Sequence, residues 1–254
     1  MIPGARIGLE NGFTGVVLPG DRAAWGRLCR LISVGRLRAE KGTCQLRMED
    51  LLEWTEGQEM LLIPTRLTHG RWSDEARRLI RRFGPQCHLM LSPRYDGEDG
   101  ARFDKLAKLA ETLGIDTVAS AAPIMHHGRR RKLTDVLTAV REGLRVDELG
   151  RAALANAEQR LRGEAELRRL FTGHEDALDR AGALAARLTF QLDSLRYEYP
   201  SEVSEGETPA ARLTRLARGG LDWRYPSGAP PKVRAMMEHE LDLIGRLQYE
   251  PYFL

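Results

Sequence analysis

The stretch CHLMLSPRYDGEDGARFDKLAKLAETLGIDTVA, residues 87–119, decides the fold class because it places a helix between two short apolar runs. Cys87–Leu91 is a short apolar run followed by turn-forming residues, which is typical of a buried strand. Apolar side chains then recur at helical spacing from Phe103 onward, and Gly114 ends that pattern. Thr117–Ala119 is the second short run. A strand, a helix and a strand in this order predict a βα unit with parallel strands.

The same alternation occupies the preceding region of the chain. Gly15–Leu18 and Met60–Ile63 predict two further strands. Asp21 is placed to cap one helix, and Ser73 and Asp74 begin another. We therefore expect an α/β fold built on a parallel sheet or barrel. The residues expected on the inward face of the helix after Asp21 are Trp25, Leu28, Cys29 and Ile32.

The pattern becomes helical from residue 133. A boundary is predicted near Pro200, because YEYPSEVSEGETP, residues 197–209, is acidic and rich in turn formers. We predict one domain over residues 1–199, in which residues 1–132 are β/α and residues 133–199 are helical, and a second domain over residues 200–254. The predicted helices are Leu133–Arg141, Asp147–Leu154, Glu164–Phe171, Glu175–Leu188, Pro209–Arg218 and Pro231–Arg246.

The composition is that of a soluble globular protein. The chain has 254 residues, 42% of them hydrophobic and 30% charged, with a formal net charge of +3. No run approaches the roughly 20 apolar residues of a membrane span, so no membrane partner is expected. The first residues are too short and too polar for a signal peptide, which predicts a cytoplasmic location.

The three cysteines, Cys29, Cys44 and Cys87, are widely spaced and form no paired motif. Neither a disulfide framework nor a zinc ribbon is indicated, which fits a reducing cytoplasm. Cys29 falls on the predicted apolar face of a helix and Cys87 in a predicted strand. We expect both to be small buried side chains.

Four consecutive cations, Arg129, Arg130, Arg131 and Lys132, form the candidate DNA-backbone contact. Guanidinium groups bind phosphate oxygens in a planar, bidentate manner, and such contacts supply most of the sequence-independent affinity for DNA. The alternative is a solvated start of a helix without a ligand. Both interpretations remain open from the residues alone.

Long ordered blocks of the chain resemble one protein family. They are EHELDLIGRLQYEPYFL (238–254), FQLDSLRYEYPSE (190–202), DRAAWGRLCRLISVGRLRAEKGTC (21–44) and RRRKLTDVLTAVREG (129–143). These blocks resemble the alpha subunits of the bacterial C-family DNA polymerases, in particular the error-prone branch that acts in translesion synthesis. The resemblance covers essentially the whole chain.

The resemblance implies a fold. Residues up to about 199 are similar to most of a PHP domain (polymerase and histidinol phosphatase), a (β/α) barrel whose strand ends gather ligands around metal ions. The remaining residues are similar to the helical lead-in to the polymerase palm. The fold expected is therefore α/β, an incomplete PHP-type (β/α) barrel followed by a mainly helical C-terminal segment. The family's opening histidine motif would lie before residue 1.

The same resemblance predicts a degenerate metal site. It places the family's late aspartate and histidine at Ala122 and Ile124, and a frequent glutamate near Met90. None of these side chains can bind a hard or borderline cation, which needs several convergent N or O donors. We expect no metal ligands and no phosphoesterase activity.

The remaining polar side chains carry weaker signals. His126 and His127 are either a residual ligand pair or phosphate contact, or simply residues of a polar loop. His69, His88 and His174 are isolated, and we expect them to be exposed or satisfied by local hydrogen bonds. His239 is expected to pack or to lie on the surface. The carboxylates expected to be solvated loop charges are Asp96, Glu98, Asp99, Glu202, Glu205 and Glu207.

The resemblance also bears on catalysis. Nucleotidyl transfer needs carboxylates that hold two Mg²⁺ ions, and in this family they would follow Leu254. We therefore predict no catalytic, cofactor-binding or metal-binding residue in this chain, which alone would be inactive. Mg²⁺, DNA, dNTPs, the sliding clamp and translesion accessory proteins are expected for the parent polymerase. The predicted function is a scaffold segment of an error-prone DNA-directed DNA polymerase in damage tolerance.

Two alternatives belong to other functional classes. One is a PHP-class metal-dependent phosphoesterase or exonuclease, which would require a ligand set. The other is a non-enzymatic module that contacts nucleic acid through residues 129–132 or docks a partner helix.

Overall fold

The computed structural model describes residues 1–64, 71–195 and 206–254. They form two compact units, Met1–Ser194 and Leu195–Leu254. The boundary predicted near Pro200 lies outside the described residues. The predictions for His69, Glu202 and Glu205 lie outside them as well.

The first unit contains a five-stranded sheet in the order β1-β2-β3-β4-β5. β3, β4 and β5 are parallel, with Leu62 opposite Leu89 and Leu89 opposite Thr117. β1 and β2 pair antiparallel, and so do β2 and β3. The strands are β1 (Ala5–Gly8), β2 (Thr14–Pro19), β3 (Gln58–Ile63), β4 (Cys87–Leu91) and β5 (Thr117–Ala119).

An α/β fold is thus confirmed, but the expectation of an entirely parallel sheet is wrong. The unpredicted strand β1 is joined to β2 by the short turn Leu9–Phe13, closed by a hydrogen bond of 2.9 Å from the Leu9 N–H to the Phe13 carbonyl. Such a turn forces an antiparallel pair, since a parallel connection needs a crossover of a dozen or more residues. β2 and β3 are separated by helices in the sequence, and this order of elements does not determine whether the two strands run parallel or antiparallel.

Seven helices accompany the sheet in the described residues of the first unit. Two of their predicted ends are confirmed: the Asp21 side chain accepts a hydrogen bond of 2.7 Å from the Ala24 N–H, and Gly114 ends α4 with φ of 69°. The helices are α1 (Arg22–Arg38), α2 (Met48–Glu53), α3 (Arg71–Phe83), α4 (Asp99–Leu113), α5 (Arg131–Glu142), α6 (Glu164–Leu170) and α7 (Glu175–Arg187).

The predicted helix Asp147–Leu154 is wrong. This segment contains two single 3₁₀ turns, Val146–Glu148 and Gly150–Ala152. Gly150 has a φ of 49°, a left-handed conformation that a continuous right-handed helix does not contain. The backbone therefore breaks where the apolar spacing alone favours a helix.

The sheet is covered on both faces. Leu62 and Leu89 pack in the larger cluster, together with Leu28 of α1 and Leu79 of α3. Leu61 and Met90, their neighbours in sequence, point to the opposite face. The residues buried with them there are Val118, Leu184 and Leu188. Burial on both faces explains why Met60–Ile63 of β3 and every residue of β4 except His88 are apolar instead of alternating with polar residues.

Burial separates the two cysteines that were expected to be inside. Cys87 is buried, and burial raises the pKa of its thiol to about 12. Cys29 is exposed, so that prediction is wrong. The fully buried residues of α1 are Ala24, Leu28, Leu31 and Gly35, and the predicted Trp25 and Ile32 are partly buried against the same core. A Cβ at Gly35 would lie 2.7 Å from Cys44 Sγ, so this helix approaches the following segment very closely.

The second unit is helical, as predicted. It contains α8 (Pro209–Arg224), α9 (Pro231–Leu247) and the short α10 (Glu250–Phe253), which was not predicted. α8 and α9 extend past their predicted ends, and Gln248 ends α9 with φ of 57°. Within residues 206–254 no side chain is buried. Among the described helices of both units, none combines the length and apolar character needed to cross a bilayer.

Candidate functional site

A cavity of about 530 Å³ opens where the parallel strands end. Pro64 lines it directly after β3, Ser92 directly after β4 and Ala122 shortly after β5. In open α/β sheets, the crevice outside the carboxyl ends of parallel strands is the usual place for a ligand. We call this space the carboxyl-end cavity.

The charged side chains among the described residues that line the carboxyl-end cavity are all positive. Arg6, Arg94, Arg102 and Lys105 line it, and none of the described lining residues is acidic. Arg102 is held by Asp96 and Asp99. Within the described residues, the other three cations make no ion pair. The cavity therefore carries a local excess of positive charge.

The loop between β4 and α4 that carries Arg94 is fixed by hydrogen bonds. Asp99 accepts from the backbone N–H groups of Arg94 at 2.7 Å and Tyr95 at 2.9 Å. The Tyr95 hydroxyl donates to the Ala121 carbonyl at 3.0 Å, and the Asn156 amide donates to the Tyr95 carbonyl at 2.8 Å. Tyr95 adopts a φ of 56° within this network. Asp99 is thus a structural anchor, and its prediction as a solvated loop charge is wrong.

Two of the three positions assigned to lost metal ligands face this cavity. Met90 and Ala122 line it, whereas Ile124 is half exposed elsewhere. Neither a thioether nor a methyl group is a donor for a hard cation. Across residues 1–64, 71–195 and 206–254, no three His, Cys, Asp or Glu side chains come together in a way that could hold a metal ion.

The four consecutive cations do not share one environment. Arg131 binds Asp135 at 3.2 Å and donates to the Leu154 carbonyl, so it ties α5 to a later segment. Arg129, Arg130 and Lys132 are exposed, and the described residues offer them no ion pair. The cluster predicted from the sequence therefore contains one arginine with a structural role, Arg131, and three solvent-exposed cations.

The described histidines outside the sheet differ in the contacts that their side chains make. His127 Nδ1 accepts a hydrogen bond of 3.1 Å from the Arg129 N–H and so caps the turn that leads into α5, while His126 is exposed. His174 Nε2 lies 3.0 Å from Asp104 Oδ1. His239 is on the surface. The position of His127 favours a local structural role over the ligand pair considered from the sequence.

His88 belongs to a buried cluster that the sequence did not reveal. Its Nε2 lies 3.0 Å from Glu59 Oε2, and Arg187 binds Glu59 Oε1 at 3.0 Å. The partner of His88 is 29 residues away, so the expectation of exposure or a local hydrogen bond is wrong. Burial raises the pKa of Glu59, but hydrogen bonds from His88 and Arg187 outweigh it and hold the pKa below its ordinary value. The one available signal was a carboxylate inside an apolar strand.

Comparison with known proteins gives one consistent result. The chain is 43% identical to an error-prone DNA polymerase of Ruegeria pomeroyi over 255 residues, which is 100% of this chain and 23% of that protein. It is 41% identical to one of Sinorhizobium medicae, covering 99% of this chain and 23% of that protein. An error-prone DNA polymerase 1 of Rhizobium meliloti is 39% identical with the same two coverages. No protein-family model matches the chain. The chain therefore spans about a quarter of the length of the curated relatives that it matches.

Proposed function

We propose a role for this chain on the basis that it is similar, along its whole length, to a segment of error-prone DNA polymerases. In this proposal it is a scaffold segment of a DNA-directed DNA polymerase that acts in damage tolerance. The observation that carries it is the similarity of 39–43% over essentially every residue. Mg²⁺, DNA, dNTPs, the sliding clamp and translesion accessory proteins are then requirements and partners of the whole polymerase.

The fold supports this assignment at a finer level. We assign residues 1–199 to a segment of a PHP-type barrel and residues 200–254 to the helical lead-in to the palm. Three parallel strands with a cavity at their carboxyl ends are what one side of such a barrel would supply. The presence of Met90 and Ala122 in that cavity supports a degenerate site, because the residues present do not fit a catalytic metal cluster.

An exposed apolar face supports the scaffold role. Leu133, Leu137 and Val140 occupy one stripe of α5, and each is at least half exposed. Contiguous apolar patches of this kind usually mark a surface that packs against other protein. A segment that supports a larger polymerase would carry such a surface.

Three exposed cations are the candidate contact with DNA. We assign Arg129, Arg130 and Lys132 to the phosphate backbone and leave Arg131 to its ion pair with Asp135. Neutralising three phosphates of duplex DNA gives a slope of about −2.7 in log affinity against log salt. Affinity should therefore fall about 40-fold between roughly 50 and 200 mM salt.

Fluorescence anisotropy with a labelled duplex tests this contact. The variant Arg129→Ala/Arg130→Ala/Lys132→Ala should bind DNA weakly and lose most of the salt dependence. A matched control is Arg22→Ala/Arg30→Ala/Arg36→Ala on α1, which removes the same charge and should retain both affinity and slope. Equal losses in the two variants would show that only net charge matters and would contradict the assigned contact.

Primer extension tests the scaffold role itself. The purified chain with Mg²⁺, dNTPs and a primed template should extend no primer, because the described residues bring together no carboxylate cluster that could hold two metal ions. Extension that survives further purification would contradict the scaffold role.

A further inference from the structure

The carboxyl-end cavity has the features of a binding site for an anion. Arg94 lies in the loop after β4, Lys105 lies in the middle of α4, and Arg6 lies in β1. None of the three is neutralised by a carboxylate within the described residues of the chain. A concave site lined by charge of one sign concentrates counter-ions, because its low-dielectric walls focus the field.

The cations are presented by a backbone that is already ordered. Asp99 holds the Arg94 and Tyr95 N–H groups and also binds the Arg102 guanidinium. The Tyr95 hydroxyl fastens the loop to the Ala121 carbonyl, next to the Ala122 position that lines the cavity. A ligand would therefore meet a preorganised loop and would cost little ordering entropy on binding.

Neutral polar groups complete the lining. Ser92 and Gln159 both face the cavity and both are half buried. The Gln159 backbone is itself fixed, since its carbonyl accepts from Ile124 N–H at 2.9 Å and Met125 N–H at 3.2 Å. A hydroxyl and an amide add directional donors to the guanidinium and ammonium groups. Guanidinium, ammonium, hydroxyl and amide groups are all donors that the oxygens of a phosphate group accept from.

We infer that the carboxyl-end cavity binds a small phosphate-bearing anion through Arg6, Arg94 and Lys105, without a metal ion. The cavity of about 530 Å³ is large enough for an anion with two phosphoryl groups or for the phosphate at the end of a nucleotide strand. These two sources share the same chemistry. The anion would bind without a metal ion because the described lining residues include arginine and lysine side chains but no carboxylate that could hold a metal.

Isothermal titration calorimetry on the 254-residue chain tests the site, with inorganic pyrophosphate as the probe and a chelator present. We expect saturable binding that Arg94→Ala and Lys105→Ala each weaken at least tenfold. Arg30→Ala, which removes an exposed arginine of α1, is the matched control and should bind pyrophosphate as the parent chain does. Arg94 and Lys105 are exposed, so thermal melting should show that both variants fold. No binding, or equal binding in all variants, would overturn the inference.

A second pair of probes distinguishes the sources. A short oligonucleotide with a 5′-phosphate and the same oligonucleotide without it are compared as competitors of pyrophosphate. Competition only by the phosphorylated strand assigns the site to a strand end, and competition by neither assigns it to the free anion. If both oligonucleotides compete equally with pyrophosphate, the 5′-phosphate does not matter and the strand binds to another surface. If they still compete equally in Arg94→Ala, this cavity has no role in strand binding.

A reversed charge inside the cavity gives an independent test. Ala122 has a φ of 44°, a region that aspartate adopts more readily than alanine. Ala122→Asp should therefore fold at least as well as the parent chain while placing a carboxylate among the cations. Pyrophosphate binding in chelator should fall at least tenfold, and unchanged binding would contradict the inferred site.

Discussion

The two ends of the parallel strands differ in how they treat charge. At the amino ends, Glu59 and His88 are buried and bonded to each other, and Arg187 completes the cluster. At the carboxyl ends, Arg94 and Lys105 are exposed and have no ion pair in the described residues. The same sheet thus contains charges that satisfy one another and charges that remain open to a ligand.

The difference follows from the cost of removing charge from water. A buried carboxylate is tolerated only when partners satisfy it, and loss of one partner then leaves an uncompensated charge. An exposed arginine keeps its hydration, so a missing partner has little effect on stability. Residues at the amino ends should therefore affect folding, and residues at the carboxyl ends should affect binding.

The largest expected effect comes from breaking the amino-end cluster. Glu59→Ala leaves His88 buried without its carboxylate partner and frees Arg187 from its ion pair. Because Arg187 is more than half exposed, most of the loss arises from His88, and we expect the free energy of unfolding to fall by about 2–4 kcal/mol. Urea denaturation followed by circular dichroism measures this change.

Arg94→Ala is the counterpart at the carboxyl end. Its free energy of unfolding should change by less than about 0.5 kcal/mol, since an exposed cation without a partner is removed. Losses of similar size in both variants would show that the two ends are equivalent for stability and would remove the distinction drawn between them.

The sequence could predict four of the five strands of the sheet, and β3, β4 and β5 left the most direct trace because they are buried on both faces. β4 and β5 begin and end where their apolar runs do, and Asp21 and Gly114 mark helix ends by their own chemistry. Strand direction left no such trace, so the antiparallel pairing of β2 with β3 was missed. Leu28, Trp25 and Ile32 of the predicted inward face of α1 do pack in or against the core, and Cys29 is the one residue of that prediction that is exposed.

The candidate site was harder to predict because it depends on contacts between distant segments. The sequence grouped Arg131 with its neighbours, whereas its bond to the Leu154 carbonyl gives it a structural role. The cations of the carboxyl-end cavity are separated by almost a hundred positions between Arg6 and Lys105, and only the pairing of β1 with the rest of the sheet brings them to one edge. Met90 and Ala122 were singled out as positions of lost metal ligands only through the family resemblance. In the structure both residues line the same cavity.

A smaller effect concerns the pH dependence of stability. The pKa of Glu59 in the folded chain lies below its ordinary value of 4.5. Its stabilising contribution is therefore complete above the unfolded pKa and is lost as pH falls through the folded pKa. We expect Glu59→Gln to be less stable than the parent chain at pH 7 and the gap between them to narrow below about pH 4.5.

Urea midpoints of the two proteins between pH 3 and pH 7 measure this narrowing. Other paired carboxylates, such as Asp50 with Arg38, occur in both proteins and cancel in the difference. A gap that stays constant over the whole range would mean that Glu59 titrates alike in the folded and unfolded chain. The cluster would then contribute packing but no electrostatic stabilisation.

The smallest expected effect reports on access to the amino ends without changing the fold. Cys87 begins β4 beside His88, is buried, and has a thiol pKa raised to about 12 by burial, whereas Cys29 and Cys44 are exposed. Only the thiolate reacts with iodoacetamide, so at pH 8 two thiols should be alkylated in the native chain and the third only in urea. Mass spectrometry counts the adducts, and Cys29→Ser/Cys44→Ser should give a native chain that takes up none while its stability changes by less than about 0.5 kcal/mol. Native alkylation of Cys87 at the rate of the exposed thiols would mean that the amino ends open readily to solvent, and the pairing of Glu59 with His88 would then contribute far less than a buried pair should.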